Sequence, residues 1–134
     1  MGAEVIKVER PEGDDSRRMG PPFVNGESVA YLGINRNKKS IVLDLRRDHD
    51  KDVFRRLAAQ VDVVAENFRP GTMERLGLGA DVLMQANPAL IYVAISGFGQ
   101  TGPYSQRPGY DLVAQGMSGI MSVTGYPGSP PVKV

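Results

Sequence analysis

Two short stretches carry the residues whose types and spacing could do chemistry. In "ENFRPG" (66–71) an apolar run ends in an amide, an aromatic ring and a cation, then turns at Pro70-Gly71. A plain strand-to-helix turn needs glycine, proline and a capping group, not that cluster. Phe68 could offer a ring face to a planar base, while the guanidiniums of Arg69 and Arg75 match phosphate geometry bidentately. Free N–H groups at the helix start that follows also favour anions. A nucleotide-type ligand fits this set; the alternative is that Phe68 plugs the edge of the core and the arginines are solvated. In "SGFGQTGP" (96–103), Gly97, Gly99 and Gly102 either let backbone approach a ligand closely or simply make a tight loop. The stretch is neither a P-loop nor a dinucleotide fingerprint, because it lacks both spacings.

A catalyst is harder to find. The chain has no cysteine, so disulfides, thiolate metal sites and cysteine nucleophiles are excluded together. Its single histidine, His49, sits in "RRDHDKD", which reads as a solvated helix start rather than a base or a metal ligand. Asp111 follows Tyr110 at a helix start, where a carboxylate is expected as an N-cap. The residues in hand make a better binding surface than a reaction centre, and no metal site is expected.

Composition narrows the class. At 134 residues, 41% hydrophobic and 23% charged, the chain is long enough for one domain with a real core. A net charge of +1 gives no electrostatic case for nucleic acid or an anionic membrane. Nine of the sixteen Lys and Arg lie between Lys7 and Arg47, interleaved with acids, so any anion site is local. No stretch has membrane-spanning length and the N-terminus lacks a signal-peptide pattern, so the expectation is a cytoplasmic protein, or a mitochondrial one if eukaryotic.

The elements that must position these residues follow from periodicity. "AEVIKVER" alternates and predicts a strand over Glu4–Val8; residues 10–28, dense in Gly, Pro, Asp and Ser, read as a long loop. "SIVLDL" (40–45) is the next strand. Val53, Phe54, Leu57 and Val61 mark one face of an amphipathic helix over 47–61. Strand 62–68 has a solid apolar centre, the pattern of a strand covered on both faces. Short helices are predicted at Thr72–Leu76 and 80–87, a strand at 89–99 and a helix over 110–125. Strands alternating with helices imply an α/β fold with a parallel sheet, in which ligands gather where strand C-termini feed loops. Both "ENFRPG" and "SGFGQTGP" are such places.

Four long motifs, "GAEVIKVERPEGDDSRRMGPPF", "NRNKKSIVLDL", "AENFRPGTMERLGLG" and "SGFGQTGPYSQRPGYDLVAQGMSGIMSVTG", resemble the family III CoA-transferases. That family includes formyl-CoA and carnitine CoA-transferases, with α-methylacyl-CoA racemases as close relatives. The resemblance covers essentially the whole chain. It implies that residues 1–134 are part of a Rossmann-like, CoA-binding large domain, with no second domain present. It also implies an interlocked homodimer, and transfer of CoA between carboxylates through an aspartyl anhydride and an aspartyl-CoA thioester without metal or redox cofactor. By position, Arg10 and Arg46 match residues near the adenosine phosphates and Leu43 one beside the adenine. Asn67, Phe68, Thr72 and Arg75 match residues lining the nucleotide and pantetheine, and Arg69 is left as a rim charge. Tyr110 and Asp111 match a tyrosine–acid pair near the reacting acyl group, and the Gly97–Gly102 loop resembles one that closes over the intermediates. The racemases have a histidine base where this chain has Tyr110, and a tyrosine with a pKa near ~10 is a poor base at neutral pH.

Two departures from the family shape the expectation. Members begin with a further strand and glycine turn before the equivalent of Gly2, and "PPVKV" (130–134) stops short of the nucleophilic aspartate. The chain therefore resembles an internal piece of a transferase, with no catalytic nucleophile of its own. It is expected to bind acyl-CoA, with a carboxylic acid as the other substrate, and to self-associate or need a complementary chain. A non-catalytic CoA- or nucleotide-binding module, a structural fragment and a racemase are the alternatives.

Overall fold

The computed structural model describes residues 2–134 and is α/β, built as two compact units, Met1–Leu57 and Ala58–Val134. In the first, β1 (Ile6–Glu9) pairs in parallel with β4 (Lys39–Val42), with Val8 opposite Ile41 and Glu9 opposite Val42. Leu43 extends the pairing by donating its N–H to the Glu9 carbonyl at 2.9 Å, and its side chain is buried. A parallel pair needs a crossover. It is supplied by residues 10–38, of which 10–28 are not the featureless loop their composition suggests. A 3-10 turn (Asp15–Arg18) comes first, then an antiparallel hairpin of β2 (Phe23–Val24) and β3 (Glu27–Ser28), then α1 (Val29–Ile34). Asn25 and Gly26 take φ of 50° and 81° at the hairpin tip, the left-handed pair that Asn-Gly favours in tight turns. Ser28 caps α1 by accepting the Tyr31 N–H at 3.2 Å. Helix α2 (Asp48–Ala58) follows, opened by Asp48 and Asp50.

In the second unit β5 (Val63–Glu66) pairs in parallel with β6 (Ile91–Ala94), joined by α3 (Thr72–Arg75) and α4 (Ala80–Ala86). Gly77, at φ 70°, ends α3 and lets Leu78 N–H return to the Met73 carbonyl at 2.9 Å. That turn delivers Leu78 to the core, where Met73, Leu83 and Leu90 are also buried. Each such side chain is worth about 2 kcal/mol of burial. Asn87 closes the crossover, donating to the carbonyls of Ala58 (3.3 Å) and Val61 (3.0 Å). Helix α5 (Asp111–Ser118) is shorter than its pattern implies. Gly119 at φ 77° breaks it, and a 3-10 turn (Ile120–Val123) takes over.

One expectation about packing is not met among the described residues. The apolar centre of β5 predicts cover on both faces, yet its Val63 and, along the neighbouring β6 and its end, Ile91, Val93 and Ile95 are 36–60% exposed. Their register places Val63 opposite Ile91 and Ala65 opposite Val93, so one face of this pair lies open to solvent.

Candidate functional site

The strand end of the first unit is organised by a buried carboxylate. Alternation along β1 turns Lys7 and Glu9 to one face. There the Glu9 side chain, 3% exposed, accepts Arg17 Nε at 2.9 Å and Nη2 at 3.0 Å. It also accepts the Tyr31 hydroxyl at 2.8 Å, the Ser40 hydroxyl at 3.2 Å and the Asp14 N–H at 3.2 Å. The Arg17 guanidinium lies 4.1 Å from the centre of the Tyr31 ring, and Lys7 approaches that ring at 5.0 Å while pairing with Asp14. The Arg17 fork, with help from Tyr31, holds the Glu9 carboxyl down at about 2 against the cost of burial. The Lys7 ammonium likewise depresses Asp14, and burial pushes the Tyr31 hydroxyl up. No polar side-chain atom buried among the described residues lacks a partner, so this network is closed.

Arg10 and Arg46 lie just past this knot and are far more open. Arg10 donates Nε to the Gly13 carbonyl at 3.0 Å and Nη2 to the Asp15 carboxylate, with Glu12 at 3.9 Å. Arg46 makes a two-point pair with Asp44, Nε to Oδ1 at 2.8 Å and Nη2 to Oδ2 at 3.0 Å. That fork lowers the Asp44 carboxyl and raises the Arg46 guanidinium from their ordinary values. Because β1 and β4 run parallel and Leu43 bonds to Glu9, Arg10 and Leu43 leave the same end of the pair.

The second unit brings three stretches to one edge. Ile95 N–H bonds to the Glu66 carbonyl at 2.9 Å, so Asn67-Phe68 and Ser96-Gly97 leave the sheet side by side. Glu66 then turns the chain by accepting the Phe68 N–H at 2.6 Å. The Phe68 ring is 45% exposed, so it is no plug of the core, and Asn67 and Arg69 beside it are exposed. Gly71, at φ 82°, starts α3 without a side-chain cap. Over this start Arg75 folds back: its Nη2 bonds to Thr72 Oγ1 at 2.9 Å, and its Nη1 lies 3.1 Å from where a Cβ on Gly71 would be. Inside the pair, burial first and the Glu66 charge second push the Tyr92 hydroxyl up to about 12.

The third stretch arrives through a glycine crossing. A Cβ on Gly97 would meet Gly109 Cα at 2.3 Å, and the reverse holds for Gly109. Only two glycines allow that approach. Between them the chain makes a loop packed on itself, with Phe98 edge-on to Tyr104 at 5.9 Å and Arg107 stacked 4.2 Å over Tyr104. Gly99 bends it at φ 79°. The crossing sets Tyr110, the N-cap of α5 and 72% exposed, beside the end of β6. Asp111 is the first residue of the helix rather than its cap, and it accepts Gln115 Nε2 at 2.7 Å.

Asn67, Phe68, Gly97 and Tyr110 thus share one strand end, with Thr72 and Arg75 at the next helix start. Arg10 and Leu43 share the equivalent end in the other unit, with Arg46 three residues past Leu43. The His49 ring is exposed, 3.0 Å from its neighbour Asp50. Among the described residues no group of His, Asp and Glu is placed to hold a metal ion, and no helix is long and apolar enough to cross a membrane. Sequence reasoning missed Glu9, Arg17 and Tyr31. The polar alternation of β1 marks Glu9 only as a strand residue, and its partners lie eight and twenty-two residues away.

A family model described as CoA-transferase family III matches residues 1–134. The chain belongs to CoA-transferase family III. Among curated members of the family, it is 50% identical to succinyl-CoA:glutarate CoA-transferase of Homo sapiens, over 99% of this chain and 31% of that protein. It is 49% identical to acetyl-CoA:oxalate CoA-transferase of Acetobacter aceti, over 100% of this chain and 34% of that one. The crystal structure of a CAIB/BAIF family protein from Brucella suis superposes with a TM-score of 0.92 at 52% identity, covering 99% of this chain and 36% of that chain. The chain therefore spans about a third of the length of the family members it matches.

Proposed function

We propose that this chain carries part of the coenzyme A site of an enzyme that moves CoA between an acyl-CoA and a small carboxylic or dicarboxylic acid. The observation that carries this reading is the convergence of Asn67, Phe68, Gly97 and Tyr110 at one strand end, in a chain that matches CoA-transferase family III along its whole length. Phe68 offers an exposed ring and Asn67 an amide, with the Arg75 guanidinium poised over the helix start; these suit a base, a pantetheine amide and a phosphate. At the strand end of the other unit, Arg10, Arg46 and Leu43 are taken, by the family resemblance, as separate candidate contacts for phosphate and adenine. On the family resemblance, Tyr110 and Asp111 serve the acyl end, and the Gly97–Gly102 loop closes over the intermediates.

On this reading a carboxylate supplied by the rest of the enzyme attacks the thioester carbon, forming a mixed anhydride and releasing CoA thiolate. The thiolate then attacks the enzyme's acyl carbon, freeing the donor acid and leaving an enzyme–CoA thioester. The acceptor carboxylate attacks that thioester, and the returning thiolate takes the acceptor's acyl group and restores the carboxylate. The open face of β5 and β6 is covered in the working enzyme by the rest of the protein, a second copy or a complementary chain.

Calorimetric titration of the 134-residue chain with CoA tests the binding half. Expected is binding that weakens in Phe68→Ala and Arg75→Ala with the unfolding midpoint unchanged. No binding, or binding indifferent to both substitutions, refutes it. Incubation with an acyl-CoA and a free acid, followed by chromatography, tests the other half: the chain alone is expected not to turn over.

A further inference from the structure

Arg10, Arg46 and Arg17 are all paired with carboxylates, but in two different ways. Arg17 is locked by two bonds to a buried partner, Glu9, and reaches Glu27 at 3.4 Å on its exposed side. Arg10 and Arg46 have side chains 54% and 74% exposed, and their partners come from their own turns, Asp15 five residues on and Asp44 two residues back. These are exchangeable pairs at the positions where the proposed function needs phosphate contacts. A reaction of that kind presents two classes of anion, the phosphates of CoA and the carboxylates of its substrates, and a bare guanidinium accepts either.

We propose that Asp15 and Asp44 are built-in competitors, tethered carboxylates that occupy Arg10 and Arg46 until a phosphate group displaces them and so keep free carboxylic acids off both positions. The inference rests on the reading of Arg10 and Arg46 as phosphate contacts. A carboxylate held on a short tether acts at an effective concentration on the order of millimolar or above. A free carboxylic acid gains nothing chemically over the group already there and so must win by concentration. A phosphate brings more charge and three acceptor oxygens, and an exposed pair of this kind resists it by no more than about a fivefold bias. Asp44 also accepts the Arg46 backbone N–H at 3.1 Å in its own turn. An asparagine can keep that bond through its one oxygen, while losing the charge and the second acceptor that Arg46 Nη2 uses at 3.0 Å.

The test is calorimetric titration of the chain with CoA, with and without sodium acetate at matched ionic strength. Asp15→Asn and Asp44→Asn are each expected to bind CoA about fivefold more tightly. Acetate is expected to weaken CoA binding by these variants and to do so severalfold less in the wild type. Glu4→Gln removes the same charge from another exposed pair, with Lys39 at 2.8 Å, and is expected to change nothing. Unchanged or weaker binding in Asp15→Asn and Asp44→Asn, or equal tightening in Glu4→Gln, overturns the competitor role. Should Arg10→Ala and Arg46→Ala weaken CoA binding while the asparagine variants do nothing, only this inference fails. Should CoA binding be absent, or indifferent to both arginines, the phosphate reading fails and takes the inference with it.

Discussion

The two parallel strand pairs end in opposite ways. Behind β1 and β4 lies a buried acid whose two oxygens serve Arg17, Tyr31, Ser40 and a backbone amide. Behind β5 and β6 lie an exposed ring, two glycines pressed backbone to backbone, and a tyrosine in solvent. The first arrangement satisfies itself and holds a long segment, residues 10–40, against the sheet. The second leaves its groups open and spends its precision on bringing backbones close. One geometry of strands therefore supports either a fixed anchor or an open site, and what decides is whether the polar groups at the strand end have partners within the chain.

The comparison breaks most visibly at Glu9. Glu9→Gln takes from the Arg17 guanidinium its buried partner and leaves it only Glu27, at 3.4 Å on the exposed side; breaking one side of a pair whose acid is buried is strongly destabilising. A large drop in the urea midpoint is expected, much larger than for any change at Phe68. Pairing Glu9→Gln with Arg17→Met should recover part of the loss, because no charge is then stranded.

The same carboxyl sets an acid limit. Its pKa falls from 4.5 to about 2 in the folded chain, so the unfolded state binds the proton more readily. The stability it contributes is complete above about 4.5 and drains away as pH falls through about 2. Asp14, depressed by Lys7, adds to this in the same direction. Acid unfolding followed by circular dichroism is expected to be flatter in Glu9→Gln than in wild type across that interval; an identical slope would mean Glu9 titrates normally.

Much of this is legible in the sequence, and the misses have local causes. Every strand predicted from periodicity exists, as do the helices at 47–61, 72–76 and 80–87, with trimmed ends. The hairpin at Phe23–Ser28 is hidden by composition, although Asn25-Gly26 is the usual signal for such a turn. Helix α1 escapes periodicity because "VAYLGI" is short, apolar throughout and interrupted by Gly33, so it shows no polar face to set a period. Helix α5 reads as longer than it is because Gly119 looks like one more small residue until its φ is known. At the site, exposed strand-end residues can be chosen from sequence position alone. The Glu9 network and the Gly97–Gly109 crossing cannot, because both are contacts between segments that only the fold brings together.

On the open side, the glycine crossing is the next most sensitive feature. Gly109→Ala puts a methyl 2.3 Å from Gly97 Cα, where backbone rather than a flexible side chain must yield. A cost of about 2 kcal/mol is expected, of the size seen when a packed site is overfilled. The readout is faster amide exchange across residues 97–110, with protection of β1 and β4 unchanged. Loss of protection in both units would show that the crossing supports more than its own loop.

The smallest expected effect has the opposite sign and separates glycines that the fold requires from those it merely contains. Gly116 sits inside α5 with no positive φ, and a Cβ there meets nothing within 4 Å. Alanine at that position restricts the unfolded chain and suits the helix, a gain of about 0.5–1 kcal/mol. Gly116→Ala should therefore raise the thermal midpoint by a few degrees, while the chemically identical change at Gly109 lowers it. If both substitutions destabilise, α5 already has a neighbour pressed against Gly116 in solution, and analytical ultracentrifugation of the wild-type chain would then show more than a monomer.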